Sequence, residues 1–304
     1  MTSRTTLKIL PFLAVPALLA GCGGGSGGPG GPGGQTGSTF LGFSQVKPGS
    51  TTNINGIGTE AVATLDADGA TTSVSDFSGK KDVSADVTYD KNGDLTKVSL
   101  TTPSGQRTWD SSNSEENTDA PANLYVADRT DNSGGFFAAA RPEENGFEYQ
   151  TYGVWMDDNA DHTKTYGGAY SVGSATDDAK VDQSLASNPV FKGSAGGTIV
   201  NGDGHALTAD VSLAVDSANK QVRFNTSNSK VDFSTAAPGF DMSGNLGYDA
   251  GKNGFSGDVA TANGMTGTAD GRFYGPGAEE AGGIFGLKGP DGETIAGGFG
   301  AVKQ

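Results

Sequence analysis

The chain has one cysteine, two histidines and two tryptophans in 304 residues, and its basic side chains are few: 20 Lys and Arg against 35 Asp and Glu. Cys22, being alone, leaves no partner for an internal disulfide. His162 and His205 fall in different expected domains, which argues against a two-histidine metal site. A formal charge of -15 argues against nucleic acid, whose affinity rests on Lys and Arg set against phosphate. It equally disfavours docking on anionic lipid. No stretch carries a sustained helical repeat of apolar positions. No serine sits in a Gly-x-Ser-x-Gly elbow after a strand, and the glycine runs contain no phosphate-binding fingerprint in a strand-turn-helix context. Nothing here supports enzymatic activity, so the chain reads as a protein that is not an enzyme. The longest apolar run, Ile9 to Ala20, has about a dozen residues, short of the ~20 that a transmembrane helix needs.

That run is informative for what surrounds it. Arg4 and Lys8 precede it, Pro11 and Pro16 interrupt it, and Leu19-Ala20-Gly21-Cys22 follows. The order of basic start, apolar centre and small residues is that of a secretory leader. A small-small-Cys ending resembles a bacterial lipobox, which implies cleavage before Cys22 and lipidation of its sulfur. A lone thiol in an exported protein is otherwise an oddity. Removal of residues 1–21 would leave 283 of the 304 residues and, with Arg4 and Lys8 gone, a formal charge of -17 in place of -15. Gly23 to Gly37 is nearly all glycine, a flexible tether that lets a folded body stand off a bilayer. Gly23, not Asp, follows the cysteine, which by resemblance suggests sorting to the outer membrane.

The remainder carries most of the 50 glycines, with many Thr, Ser, Asn and Asp, a composition that points to short strands and tight turns. Val83 to Tyr89 alternates apolar and polar residues, Asp90-Lys91-Asn92-Gly93-Asp94 turns the chain, and Leu95 to Thr101 returns. Ser111 to Asp119 reads as a polar loop, and Thr176 to Asn188 as a polar boundary. After Pro189 the strand candidates are Val190–Val200, Ala206–Val215, Gln221–Asn225, Lys230–Phe233, Met242–Tyr248, Phe255–Thr261, Met265–Tyr274, Gly282–Lys288 and Thr294–Val302. Eight or nine short antiparallel strands with internal glycines predict a closed barrel, the glycines serving bends at its corners. Gly275-Pro276-Gly277 predicts a type II turn. Many strands are shorter than the 9–11 residues of a membrane-spanning barrel, so a soluble one is expected.

At the C-terminal end the residues carry a family resemblance. Gly271-Arg272-Phe273-Tyr274-Gly275-Pro276-Gly277-Ala278-Glu279-Glu280-Ala281-Gly282-Gly283-Ile284-Phe285, with Ala296-Gly297-Gly298-Phe299-Gly300-Ala301, resembles the closing hairpin of transferrin-binding protein B-like surface lipoproteins. Tyr152-Gly153-Val154-Trp155 and Tyr166-Gly167-Gly168-Ala169-Tyr170 are similar to that family's handle segment. The resemblance implies an all-β chain in which a β-rich handle domain precedes an eight-stranded antiparallel barrel. The expected division is a lipoprotein signal over 1–21, the lipidated Cys22 and tether over 22–39, the handle over 40–188 and the barrel over 189–304. It also implies a membrane link through the lipid anchor and delivery to the cell surface by a surface lipoprotein translocator. The implied ligands are a host protein, haem or an outer-membrane receptor. Full-length transferrin-binding proteins carry two such lobes and this chain has room for one, so transferrin capture is not inherited with the fold.

The conspicuous side chains have plain readings. Phe273, Tyr274, Phe285 and Phe299 alternate with small residues and are expected in the barrel core. Glu279 and Glu280 are adjacent on a strand start and point to opposite faces, so they do not form a catalytic acid pair. Asp157-Asp158-Asn159-Ala160-Asp161 spaces oxygens as a calcium loop does but lacks its Gly and Glu, which favours a solvated hairpin turn. His162 or His205, with Tyr152, Tyr166 or Tyr170, are the residues that haem ligation would draw on. The expected function is ligand capture by a surface-anchored lipoprotein in iron or haem acquisition or host-protein binding. The alternative is a structural or adhesive surface lipoprotein with no small ligand. No cofactor is assigned.

Overall fold

The computed structural model describes residues 40–131, 134–200, 205–290 and 292–304. The leader, Cys22, the tether and residues 201–204 lie outside the described residues. The first part of the chain forms one antiparallel sheet. Its strands are β1 (Thr51–Leu65), β2 (Thr71–Val74), β3 (Lys81–Tyr89), β4 (Leu95–Thr102), β5 (Gly105–Asp110), β6 (Ser114–Glu116), β7 (Leu124–Arg129), β8 (Gly135–Ala140), β9 (Gln150–Asp158) and β10 (Lys164–Gly173). A one-turn helix, α1 (Pro142–Asn145), joins β8 to β9. The spatial order is β5-β4-β3-β1-β10-β9-β8-β7-β6, with β2 paired to β1. The sheet curls around an aromatic core of Ile54, Val83, Leu100, Trp109, Phe137, Trp155 and Tyr170.

Its two edges meet without a backbone ladder. Thr108 on β5 offers its carbonyl to Arg129 Nη1 (2.8 Å) and Asn113 Nδ2 (2.9 Å), and Asn113 O accepts from Thr130 N (3.0 Å). Side chains thus close what would otherwise be exposed strand edges. The stretch 111–119, expected as a loop, contains β6, whose residues Ser114 to Glu116 pair with Arg129 to Ala127 on β7. Its polar composition hid a strand because only three residues pair.

The second sheet is a closed barrel. Its strands are β11 (Val190–Val200), β12 (His205–Asp216), β13 (Gln221–Val231), β14 (Thr235–Ala236), β15 (Met242–Tyr248), β16 (Phe255–Thr261), β17 (Thr266–Tyr274), β18 (Glu280–Lys288) and β19 (Thr294–Lys303). The order β12-β11-β19-β18-β17-β16-β15-β13 closes through β12–β13, which makes eight strands, with the short β14 hanging on β13. Closure leaves the barrel without edges. The two expected strands Gln221–Asn225 and Lys230–Phe233 are one strand, β13. The register against β12 shifts between Thr208 and Asp210, opposite the left-handed Asn228 (φ 56°), so a bulge broke the alternation that reads as a strand. The Gly275-Pro276-Gly277 turn is not type II. Positive φ falls on Gly275 (84°) and Ala278 (54°), on either side of Pro276-Gly277.

Between the sheets lies a helix, α2 (Asp178–Leu185), in the stretch expected to be a polar boundary. The Asp177 carboxylate accepts from Ala179 N (2.8 Å) and caps it. Val181 and Leu185, one turn apart, are fully buried in the barrel core with Phe191, Phe224, Phe273 and Phe299. The polar face is strapped to the barrel turns: Asp178 accepts from Asn253 N (2.7 Å), and Asp182 pairs with Lys220 (2.8 Å) and accepts from Gly251 N (2.9 Å). A single i, i+4 pair is too short a pattern to register as a helical repeat.

Candidate functional site

The two sheets pack side by side along a seam, and the strand alternation of β18 and β19 explains it. Ala281, Phe285 and Leu287, with Ile295, Phe299 and Ala301, point into the barrel. The alternate residues face the handle: Glu280, Gly282, Ile284 and Gly286 on β18, and Ala296, Gly298 and Gly300 on β19. Most of these are small because the handle stands directly on them. A Cβ on Gly282 would meet Gln150 Oε1 at 2.6 Å, one on Gly286 the Phe77 ring at 2.8 Å, and one on Gly298 the Tyr152 side chain at 3.0 Å. On Gly300 it would strike Gln150 Nε2. Gly297 faces inward and makes room for the Phe285 ring. The glycines expected to serve barrel corners are therefore mostly a docking floor. Ile57, Val154 and Ala169 of the handle complete the seam against Ile284 and Ala296.

Polar contacts fix the register of the two bodies. Tyr274 is fully buried, but its hydroxyl meets Ser171 Oγ on β10 at 2.9 Å. It belongs to the seam and not to the barrel core, whereas Phe273, Phe285 and Phe299 are in the core as expected. Tyr152 OH meets Ser194 Oγ at 2.7 Å, and Ser194 donates to Asn145 Oδ1 (2.9 Å). Glu280, only 2% exposed, accepts from Glu148 N (2.6 Å) and Tyr149 N (3.1 Å). Burial pushes its carboxyl up to about 7, with the backbone donors pulling the other way. Glu279 instead folds back onto Gly277 N (2.8 Å), so the two acids do sit on different sides of the strand.

Beside the seam a cleft of about 260 Å³ lies between handle and barrel. Leu124, Val126, Phe136, Ala138, Val154 and Met156 form its handle wall. The barrel wall is smaller in side chain: Gly196 and Thr198 on β11, Ala206 and Thr208 on β12. Phe233 lines it from the turn between β13 and β14. That turn is left-handed at both Asp232 (φ 49°) and Phe233 (φ 63°), with Ser234 N bonded to Val231 O (3.3 Å). Left-handed backbone costs a non-glycine residue about 1–2 kcal/mol, and for a bulky side chain it is an outlier. The Asp232 carboxylate holds the turn, contacting His205 Nδ1 (2.9 Å) and accepting from Ala206 N (3.2 Å). Sequence reasoning missed Phe233, which it placed at the end of a strand.

Of the remaining candidates, His205 and Tyr152 both line the cleft, and His162 is in the β9–β10 turn, 3.7 Å from Asp158 Oδ2. Tyr152 reaches the cleft from the seam, and burial raises its hydroxyl pKa well above the usual tyrosine range. Tyr170 is inside the handle, stacked on Phe137 with centroids 5.7 Å apart, its OH donating to Ala138 O (3.2 Å). Burial raises its pKa too. Tyr166 packs under the Arg107 guanidinium, 4.8 Å from its ring centroid. Among the described residues no three His, Cys, Asp or Glu side chains gather as a metal site.

The acidic run is not simply solvated either. Asp157 turns inward between Arg129 (2.9 Å) and Arg107 (3.5 Å), and Arg107 also stacks on Trp155 at 4.6 Å. Burial raises the Asp157 pKa while the two arginines pull it down. Asp158 accepts from Thr165 Oγ1 (2.6 Å), and Asp161 from Thr163. The carboxylates therefore diverge.

The family model of the C-lobe and N-lobe beta barrels of Tf-binding protein B matches residues 142–303. The match takes in β9, β10 and α2 as well as the barrel, and begins ahead of the expected boundary at 189. No curated protein matches the sequence. Several solved structures are similar to this chain. A point mutant of Transferrin Binding Protein B from Haemophilus parasuis Hp5 is 11% identical, with 85% of this chain and 78% of that one covered at a TM-score of 0.41. Isotype 1 Transferrin binding protein B from serogroup B Neisseria meningitidis is 14% identical, covering 74% of this chain and 53% of that one at 0.40. HpuA from Kingella denitrificans, solved in complex with human haemoglobin, is 13% identical, covering 88% and 95% at 0.42.

Proposed function

Because this chain belongs to the family of the C-lobe and N-lobe beta barrels of Tf-binding protein B, we propose that it is a binding lipoprotein, anchored by Cys22 in the outer membrane and displayed at the cell surface, which captures a protein ligand. The family match over residues 142–303 carries this reading. The leader and glycine tether support it from the sequence side, with a translocator of surface lipoproteins as the partner in delivery. The seam supports it physically: a handle and barrel tied by buried hydrogen bonds present one continuous surface, and pre-organisation of that kind lowers the entropy lost on binding. The excess of acidic residues favours a partner with a basic face.

A second reading, a structural or adhesive surface lipoprotein with no small ligand, is favoured by one observation. Among the described residues the only large exposed apolar side chains are Leu41 and Val190, so no apolar patch marks a protein hot spot. Haem has less support. His205 and Tyr152 both line the cleft, but His205 is engaged by Asp232 and Tyr152 by Ser194, while Tyr170 lies inside the handle on Ala138 O.

The test is a pulldown with the chain from residue 38 onward, immobilised and offered transferrin, haemoglobin and haem in parallel. Saturable capture of a protein supports the reading, and silence on all three moves it to the structural alternative. Labelled palmitate incorporated into the intact chain and lost in Cys22→Ala checks the anchor.

A further inference from the structure

We propose that the cleft between handle and barrel is a binding site for a small, uncharged, apolar molecule of one or two aromatic rings or comparable aliphatic size. This goes beyond the capture of a protein partner and does not depend on it.

Size sets the first limit. A dry cavity of roughly 150 Å³ accepts benzene, and drug-sized ligands occupy roughly 300–1,000 Å³. The cleft, at about 260 Å³, falls between them. A porphyrin macrocycle could not be fully enclosed there. Charge sets the second limit. No Lys, Arg, Asp or Glu is among the lining residues, and His205 is already held by Asp232 at 2.9 Å. An anionic or cationic ligand would lose its hydration with no counter-charge in return.

The backbone sets the third. The cleft-lining strands β8, β9, β11 and β12 are each paired on both sides, and on β7 Leu124 N donates to Pro121 O (2.8 Å) and Val126 O accepts from Asn117 N (2.9 Å), so the walls offer few free N–H or C=O groups. An extended peptide would bury unpaired backbone groups there, whereas a compact molecule without a backbone would not. Shape agrees with this choice. Gly196 is open on its cleft side, where an added Cβ would have only Tyr152 Cε2 near it, at 3.7 Å. The barrel wall thus leaves room for a flat ligand against Phe136 and Met156. Phe233, held in left-handed backbone by the Asp232 contacts, completes the enclosure. Strain of this kind is kept where surroundings enforce it, as at ligand clamps.

The test uses N-phenyl-1-naphthylamine, an uncharged probe that fluoresces in apolar sites, titrated into the chain from residue 38 onward, which contains every strand and core cluster described. Saturable one-site enhancement is expected. Gly196→Leu fills the cleft and should weaken binding at least tenfold at an unchanged melting temperature. Gly247→Leu, whose added side chain meets open space, should leave binding within twofold. If Gly196→Leu lowers the melting temperature, Ala206→Leu fills the same cleft from the neighbouring strand and replaces it. No saturable signal, or equal affinity in the folded filled variant, overturns the proposal. The pulldown scores protein capture separately, so either reading can fail without the other.

Discussion

Glu280 makes the stability of this protein fall as pH rises through the weakly acidic range. Its side chain is 2% exposed in the seam, and burial lifts its pKa from 4.5 to about 7. In that interval the unfolded chain has released the proton and the folded chain still holds it, so the folded state binds more protons and stability declines with pH. The contribution is fully present below about 4.5 and lost as pH passes 7. At about 1.4 kcal/mol per pKa unit the whole change is about 3 kcal/mol. Glu280→Gln cannot titrate. Its absolute stability is shifted by whatever the amide does to the bonds from Glu148 N and Tyr149 N, but that offset is the same at every pH. The quantity to measure is the difference between wild type and variant, from urea denaturation at intervals between pH 4.5 and 8. It should move by about 3 kcal/mol in favour of the variant as pH rises. Parallel profiles would refute the reasoning and show that the backbone donors offset burial at this site.

Other substitutions test other parts of the structure. Gly300→Val places a branched side chain on Gln150 and the Phe147 ring; urea denaturation should show a loss of about 1–3 kcal/mol, while Gly247→Val, which meets open space, stays near neutral. Leu185→Ala empties the helical plug of the barrel and should cost about 2–5 kcal/mol by the same assay. Arg129→Ala removes one of the two cationic partners of the partly buried Asp157 carboxylate and the link to Thr108 O, at about 1.5–3 kcal/mol. Hydrogen exchange in that variant should quicken first along β5 and β6, and uniform quickening across both sheets would count against the side-chain closure.

Much of the barrel was legible because its chemistry is local. Met242–Tyr248 and Phe255–Thr261 alternate strictly and are bounded by turn residues, and both form strands with those limits. The expected closure of a barrel of eight or nine strands also followed from strand count, and the number eight from the family resemblance. The seam was illegible for a physical reason. Gly282, Gly298 and Gly300 contribute no side chain, so nothing in their identity says whether they bend a strand or receive a neighbour. The helix α2 depends on Val181 and Leu185 finding the barrel core, a tertiary fact that eight polar-rich residues do not announce. The cleft joins Phe136 and Met156 to Gly196, Ala206 and Phe233, positions that only the packing of two sheets brings together.

The bald strip on β18 and β19 has a consequence for how this protein can be rearranged. A surface made by leaving side chains out cannot be adjusted from one side. Growth at 282, 286, 298 or 300 has to be matched by shrinkage at Gln150, Phe147, Tyr152 or Phe77, so the two faces are inherited as a pair. A barrel cut at 189 and grafted onto another handle would arrive without the residues shaped to stand on it. A graft that starts ahead of 142 carries α1, Phe147, Gln150 and Tyr152 along with their floor. The transferable module of this chain is thus larger than its barrel.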